Sequence, residues 1–368
     1  MRRWHQILVF FFALALIAGS TLTPSQAIPK GKWSDKTPMT AARTGLAVCV
    51  VGEKLYAIGG YDGSSMVVGK GNRDAVEMYD PSANGWQSKR PLPSGRYNSA
   101  MEAVNGKIYS FGGISDIGKG TYFKEVLEYD PGQDSWSNIS AIPGGIKGQV
   151  ESAAVNGRVF LFGGDYEDNR SQLWVNKNYE YDVATGGWSA RRAMPVTRGD
   201  FGACAVGDRI YIFGGWDNGS YFDKIDVYNT TDDSWTSENP TTMKRRDFGL
   251  ASLNGCIYLV GGLDEHGNKI GTVERYDPVN GTVTRLTDMP AGRCGLAAGA
   301  INGKLFAVGG VDGNARYLAV CQELDPSGQG TGGGSKSKGS IPAFGAPAAL
   351  CAFIAVIAAR QRARCQDQ

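Results

Sequence analysis

Residues 96–136 read RYNSAMEAVNGKIYSFGGISDIGKGTYFKEVLEYDPGQDSW. A cation, Arg96, opens the stretch, and a short apolar-rich run follows as far as Asn105-Gly106. A second run, Lys107 to Phe111, ends on Gly112-Gly113, after which come Tyr129-Asp130 and, seven residues beyond the tyrosine, Trp136. Runs of this length, alternating or continuous in apolar residues and separated by turn formers, are strands. Asn-Gly accepts the positive φ angles of a two-residue hairpin, so the first two strands pair directly. Gly-Gly lets the backbone pass where a side chain would collide. The stretch therefore predicts a unit of four short strands.

The unit recurs along the chain. Apolar runs end in Gly-Gly at Gly59-Gly60, Gly112-Gly113, Gly163-Gly164, Gly214-Gly215, Gly261-Gly262 and Gly309-Gly310, at spacings of 53, 51, 51, 47 and 48 residues. Downstream stand Tyr79-Asp80, Tyr129-Asp130, Tyr181-Asp182, Tyr228-Asn229 and Tyr276-Asp277, with Leu324-Asp325 a weaker sixth. Trp86, Trp136, Trp188 and Trp235 follow seven residues after their tyrosines, Val283 taking that slot in the fifth copy. In this combination the chain resembles the kelch-repeat family over nearly all of residues 30 to 326. The resemblance implies an all-β, six-bladed β-propeller, with the repeated Trp and Tyr packing blade on blade. The sixth copy stops at Pro326 without its tryptophan strand, while Trp33 lies 26 residues before Gly59, the offset that separates Trp86 from Gly112. An N-terminal strand around Trp33 is expected to complete the last blade and leave no open edge.

Sixteen residues before each Gly-Gly stands a cation: Arg43, Arg96, Lys147, Arg198, Arg245 and Arg293. The position precedes the innermost strand, so all six are expected near the central opening on one face. In kelch proteins that bind peptides, this position and the loops after Gly-Gly line the binding face. By that resemblance the six cations, with Tyr61, Tyr166 and Trp216, form the candidate ligand-binding pocket, and converging cations favour an anionic glycan or an acidic protein segment. A second reading pairs them with Asp62, Asp217, Asp264 and Asp312, three residues after the first glycine, as structural ties between loops. The long loops Ile114 to Lys124 and Asp165 to Asn178 are the expected carriers of partner specificity.

The ends have a different character. Arg2 and Arg3, the apolar run Ile7 to Ala18 and the small-residue close at Ala27 follow the order of a secretory signal over 1–27. After the expected propeller, 28–326, a Gly/Ser linker covers 327–340. Ile341 to Ala359 carries no charge and is followed by Arg360, Arg362 and Arg364, the pattern of a single transmembrane helix with a basic cytoplasmic tail at 360–368. Pro342 to Gly345 at the opening of that run, followed by an apolar stretch and arginines, is similar to archaeal and other prokaryotic surface-protein sorting signals, with Ala343 departing from the usual glycine. An exported, membrane-anchored chain at the cell surface is the expectation.

Composition narrows the function. Fifty-two glycines and 20 % charged residues exclude a long coiled coil and an acidic disordered chain. The net charge is +2, but seven basic residues and one acid lie in the two ends, leaving the middle about four charges negative and without a nucleic-acid footprint. Beyond the signal, His266 is the only histidine, so one chain cannot build a multi-histidine metal centre, and neither metal nor cofactor is expected. The five cysteines of the middle read as buried thiols with at most one bridge. No catalytic residue is singled out. A non-catalytic binding or adhesion module is the first reading; the alternative is a metal-free sugar-acid epimerase or mutarotase similar to N-acetylneuraminate epimerase, with Glu102, Glu151 or Glu265 and a ring arginine as acid and base.

Overall fold

The computed structural model describes residues 31–63, 74–116, 121–144, 146–166, 173–238 and 240–327. The expected signal, most of the linker, the apolar C-terminal segment and the basic tail lie outside the described residues, and within these no helix is long and apolar enough to cross a membrane.

Each of the first five repeats forms one antiparallel sheet with a main path of four strands. In blade 1 these are Ala47–Val51, Lys54–Ile58, Val76–Asp80 and Gly85–Lys89; in blade 2, Ala100–Val104, Lys107–Phe111, Glu125–Asp130 and Ser135–Ala141. Blades 3 and 4 begin with the longer hairpins Ile146–Val155/Arg158–Tyr166 and Gly199–Val206/Arg209–Asp217. Blade 5 runs from Gly249–Leu253 to Thr282–Arg285. The turn asparagines Asn105, Asn156, Asn254 and Asn302 have φ of 51–52°, each followed by a glycine with positive φ, as the direct pairing of the first two strands requires.

Blade 6 is completed from the other end of the chain. Ala297–Ile301, Lys304–Val308 and Cys321–Leu324 are joined by Trp33–Lys36, in the register Trp33 opposite Leu324 and Lys36 opposite Cys321. The innermost strands then lie side by side in one circuit, blade 6 returning to blade 1. The all-β, six-bladed closed propeller expected from the repeats is the fold.

The core lies between blades. Six apolar clusters each straddle two neighbours; the one between blades 6 and 1 joins Leu46, Val48 and Tyr79 to Ala297, Phe306 and Val308. The repeated tyrosines are fully buried, and the first four pack on the tryptophan opposite them at 4.8–5.1 Å between ring centroids. Each indole N–H also pins its blade to the preceding one. Trp86 donates to Thr37 O at 2.8 Å, Trp136 to Arg90 O at 3.0 Å and Trp235 to Arg192 O at 2.9 Å. Trp33 makes the same bond, to Thr287 O at 3.0 Å, so the seam uses the same fastening as the internal joints.

Candidate functional site

The cation column is built into the blades. Arg43, Arg96, Arg198, Arg245 and Arg293 are at most 2 % exposed. Each of the first four turns its guanidinium back along its own blade: Nη1 of Arg43, Arg96, Arg198 and Arg245 donates to the carbonyl of Gly59, Gly112, Gly214 and Gly261 at 3.0–3.1 Å. The arginine's own carbonyl faces the preceding blade, where the second glycine of the pair donates to it. Gly60 N reaches Arg96 O, Gly262 N reaches Arg293 O and Gly310 N reaches Arg43 O, all at 2.9 Å. A Cβ on Gly214 would stand 2.3 Å from Arg245 O, which is why the motif needs glycine there. Arginine and Gly-Gly together form a latch between blades.

Buried guanidinium groups need countercharge, and the third strand supplies it. Arg43 pairs with Glu77 and Arg245 with Glu274, each at 2.5 Å, and Arg198 pairs with Asp226. These acids stand two residues before the repeated tyrosine. Blade 6 has Gln322 at that position, which accepts from Arg293 at 2.9 Å and donates to Asp35 of the closing strand at 2.8 Å. Blade 2 has Leu127 there, and Arg96 lies instead over the Phe123 ring at 3.9 Å, with Glu125 3.9 Å away. Burial accordingly lowers Arg96 and Arg293 to about 10, nearby charges only partly restoring them.

The cations of blades 1, 2, 4, 5 and 6 are thus held by internal partners, and both sequence readings of them change. They do not form a cationic lining of an opening, and three of the aspartates after Gly-Gly are engaged elsewhere. Asp217 accepts from Thr197 at 2.6 Å, Asp264 caps its own turn, and Asp312 pairs with Arg316. The physical reason is that strand register places the third-strand acid within reach of the guanidinium. Lys147 stands opposite Asp165, and Tyr166 opposite Ile146, in the first hairpin of blade 3.

Of the expected loop aromatics, Tyr61 is buried and Trp216 half-buried, both in loops that follow a Gly-Gly pair. Tyr61 packs against Tyr97 and Tyr317, with ring centroids 6.0 and 5.7 Å apart, and burial followed by the charge of Asp62 raises its phenol. Trp216, half-buried, donates to Asp200 Oδ2 at 2.9 Å. Its ring carries the guanidinium of Arg246 at 5.1 Å, with the Tyr221 ring at 5.7 Å. Arg246 is the cation the sixteen-residue spacing missed; it is the second basic residue of the pair Arg245-Arg246 and donates to Asp200 at 2.9 Å. The visible signal was the pair itself, present in this repeat alone among the six cation positions.

Of the three acids considered for proton transfer, Glu265 is exposed in a loop near Lys244, 3.4 Å away. Glu102 and Glu151 lie on inner strands and are buried. Glu102 accepts from Ser152 of the next blade at 2.8 Å, and burial pushes its carboxyl up to about 8. Glu151 is raised well above the carboxylate range by burial and by Asp200, Asp247 and Glu102. Among the described residues no group of three His, Cys, Asp or Glu side chains could hold a metal ion, and His266 lies exposed in the Asp264 turn. Cys49, Cys204, Cys256 and Cys321 are buried free thiols.

Residues 55–319 match the family model described as the Attractin/LZTR1 β-propeller. Kelch-like protein 25 of Xenopus tropicalis is 30 % identical over 203 residues, covering 54 % of this chain and 33 % of the relative. Kelch-like protein terF of Aspergillus terreus is 26 % identical over 223 residues, covering 56 % and 48 %. The chain thus spans a third to a half of the length of these curated relatives. Among solved structures, that titled "Structure of YjhT" superposes with a TM-score of 0.63 at 16 % identity, covering 77 % of this chain and 95 % of the other, which is a likeness of fold.

Proposed function

The chain belongs to the Attractin/LZTR1 β-propeller family, and from that premise we propose that it is a non-catalytic protein-binding module, exported and held at the cell surface by its C-terminal apolar segment. The observation that carries the reading is the mounting of aromatic side chains on one face of a latched ring. Trp216, Tyr221 and Tyr317, each partly exposed, come from loops that follow a Gly-Gly pair, Tyr317 resting on the buried Tyr61, and the joints beneath them are fixed by indole and glycine hydrogen bonds. Rigid aromatics lose little conformational freedom when they pack on a partner, so they suit contact energetics better than long charged side chains. The anionic glycan or acidic segment loses its basis with the arginines internal, and a protein surface is the ligand class favoured here. The loops 114–124 and 165–178, of which 117–120 and 167–172 lie outside the described residues, would add specificity.

The test is a peptide and glycan array probed with the full chain and with its Trp216→Ala and Tyr317→Ala variants. Binding to protein-derived probes, weakened at least tenfold by either substitution at unchanged thermal stability, is expected. Glycan-only binding, or binding indifferent to both substitutions, would sink the proposal. So would acceleration of sialic acid anomer exchange in an NMR experiment.

A further inference from the structure

Two residues after each cation the chain places Gly45, Asn98, Gln149, Asp200, Asp247 and Gly295, one from each blade. These form a collar about the axis at the loop end of the inner strands. Backbone bonds tie it together: Asn98 N to Gly45 O at 2.8 Å, Gly45 N to Gly295 O at 3.0 Å, Gly295 N to Asp247 O at 2.9 Å and Asp247 N to Asp200 O at 3.2 Å. Positive φ at Gly45, Asn98, Asp200, Asp247 and Gly295, between 52° and 61°, accounts for Gly, Asn and Asp at those places. It does not account for what the side chains do.

Among the described residues, seven side-chain polar atoms of the collar have no hydrogen-bond partner: both of Asn98, both of Gln149, Oδ1 of Asp200 and both carboxylate oxygens of Asp247. The four side chains are 2–5 % exposed, so bulk water does not satisfy them. Asn98 Oδ1 lies along the collar, 2.5 Å from where a Cβ on Gly45 would stand. Five of the seven atoms are oxygens, an acceptor excess. The charge is similarly unbalanced: among the described residues, Asp200 and Asp247, with Glu151 deeper on its inner strand, have one cation among them, Arg246, 2.9 Å from Asp200 and 3.9 Å from Asp247. Burial holds the Asp247 carboxyl well above its ordinary range, and Asp200 adds to that. A group with positive charge and several N–H donors would satisfy what the collar lacks. Its near-complete burial favours a slim aliphatic chain over a sugar ring.

We propose that the collar binds a primary ammonium group entering along the propeller axis from the loop face, with Asp247, Gln149 and Asn98 as its acceptors. The ammonium belongs either to a lysine side chain of a protein partner, a version that rests on the binding-module reading above, or to a free aliphatic amine, which does not. Isothermal titration of the purified full chain with 1,4-diaminobutane and with Nα-acetyl-lysine methylamide tests the site, tetramethylammonium chloride serving as a cation without N–H donors. Saturable binding of at least one amine, at least tenfold tighter than tetramethylammonium, is expected. Asp247→Asn, whose side chain keeps its shape and tolerates the local φ, is expected to weaken it at least tenfold while the melting temperature holds or rises. No saturable heat, an equal response to tetramethylammonium, tighter binding of calcium chloride, or undiminished binding by Asp247→Asn overturns the proposal. Tighter binding of the lysine probe identifies a partner's side chain as the source and tighter binding of the diamine a free amine; either supports the site. Array binding that persists when amine binding is absent refutes the collar alone and leaves the binding module standing.

Discussion

Replacing Glu274 by alanine removes the countercharge of Arg245, and both groups are 0 % exposed. The guanidinium would keep the carbonyls of Gly261 and Thr272, at 3.1 and 3.2 Å, while Thr242 would lose the carboxylate to which its backbone N–H and hydroxyl both donate. A buried ion pair broken on one side costs about 3–5 kcal/mol, because the remaining charge is stranded. The protein contains its own milder version of this change, since Gln322 accepts from Arg293 at the corresponding place in blade 6. Glu274→Gln is therefore expected to cost only about 1 kcal/mol, the difference between a charged and a neutral hydrogen bond. Replacing both partners, Arg245→Met with Glu274→Leu, should restore most of the loss. Urea denaturation followed in parallel by tryptophan fluorescence and circular dichroism would measure all three, coincident transitions establishing a single cooperative unit. A Glu274→Ala cost below about 1 kcal/mol, or a glutamine variant as damaged as the alanine one, would refute the assignment of these arginines to the architecture.

Trp33→Ala should cost about 3–5 kcal/mol and expose the amides of Cys321–Leu324 to hydrogen exchange, whereas Trp136→Ala should leave those amides protected. Gly214→Ala, with φ of 59° and Arg245 O at 2.3 Å from the new Cβ, should lower stability by roughly 2 kcal/mol or more, read as a fall in melting temperature. Glu102 holds its proton to about 8 in the folded state against 4.5 for the free side chain, so the folded chain binds more protons in that window. Its contribution to stability therefore falls as pH rises from about 4.5 to 8. Denaturation across that range should show a decline that Glu102→Gln flattens, and an unchanged slope in the variant would count against a buried neutral acid.

The repeat itself was legible because it is local. Asn-Gly, Gly-Gly and the Tyr-to-Trp interval each report a turn, a close approach or a cross-strand pair within some tens of residues, and the offset of Trp33 from Gly59 told which strand was missing and where it would return. The cation column was legible too, but not the direction of its side chains. What neutralises each folded-back guanidinium depends on the third-strand residue two places before the tyrosine, and Glu77, Asp226 and Glu274 carry that information some thirty residues away, in a pattern broken by Leu127 and Gln322. The collar was the least legible of all. Gln149, Asp200 and Asp247 are unremarkable in their own repeats and become a shared environment only when the ring closes and inner strands from different blades meet at one axis. Local spacing determined the blades and their number; the charge presented to the axis was decided by ion pairs between distant residues of one blade and by the meeting of inner strands from different blades.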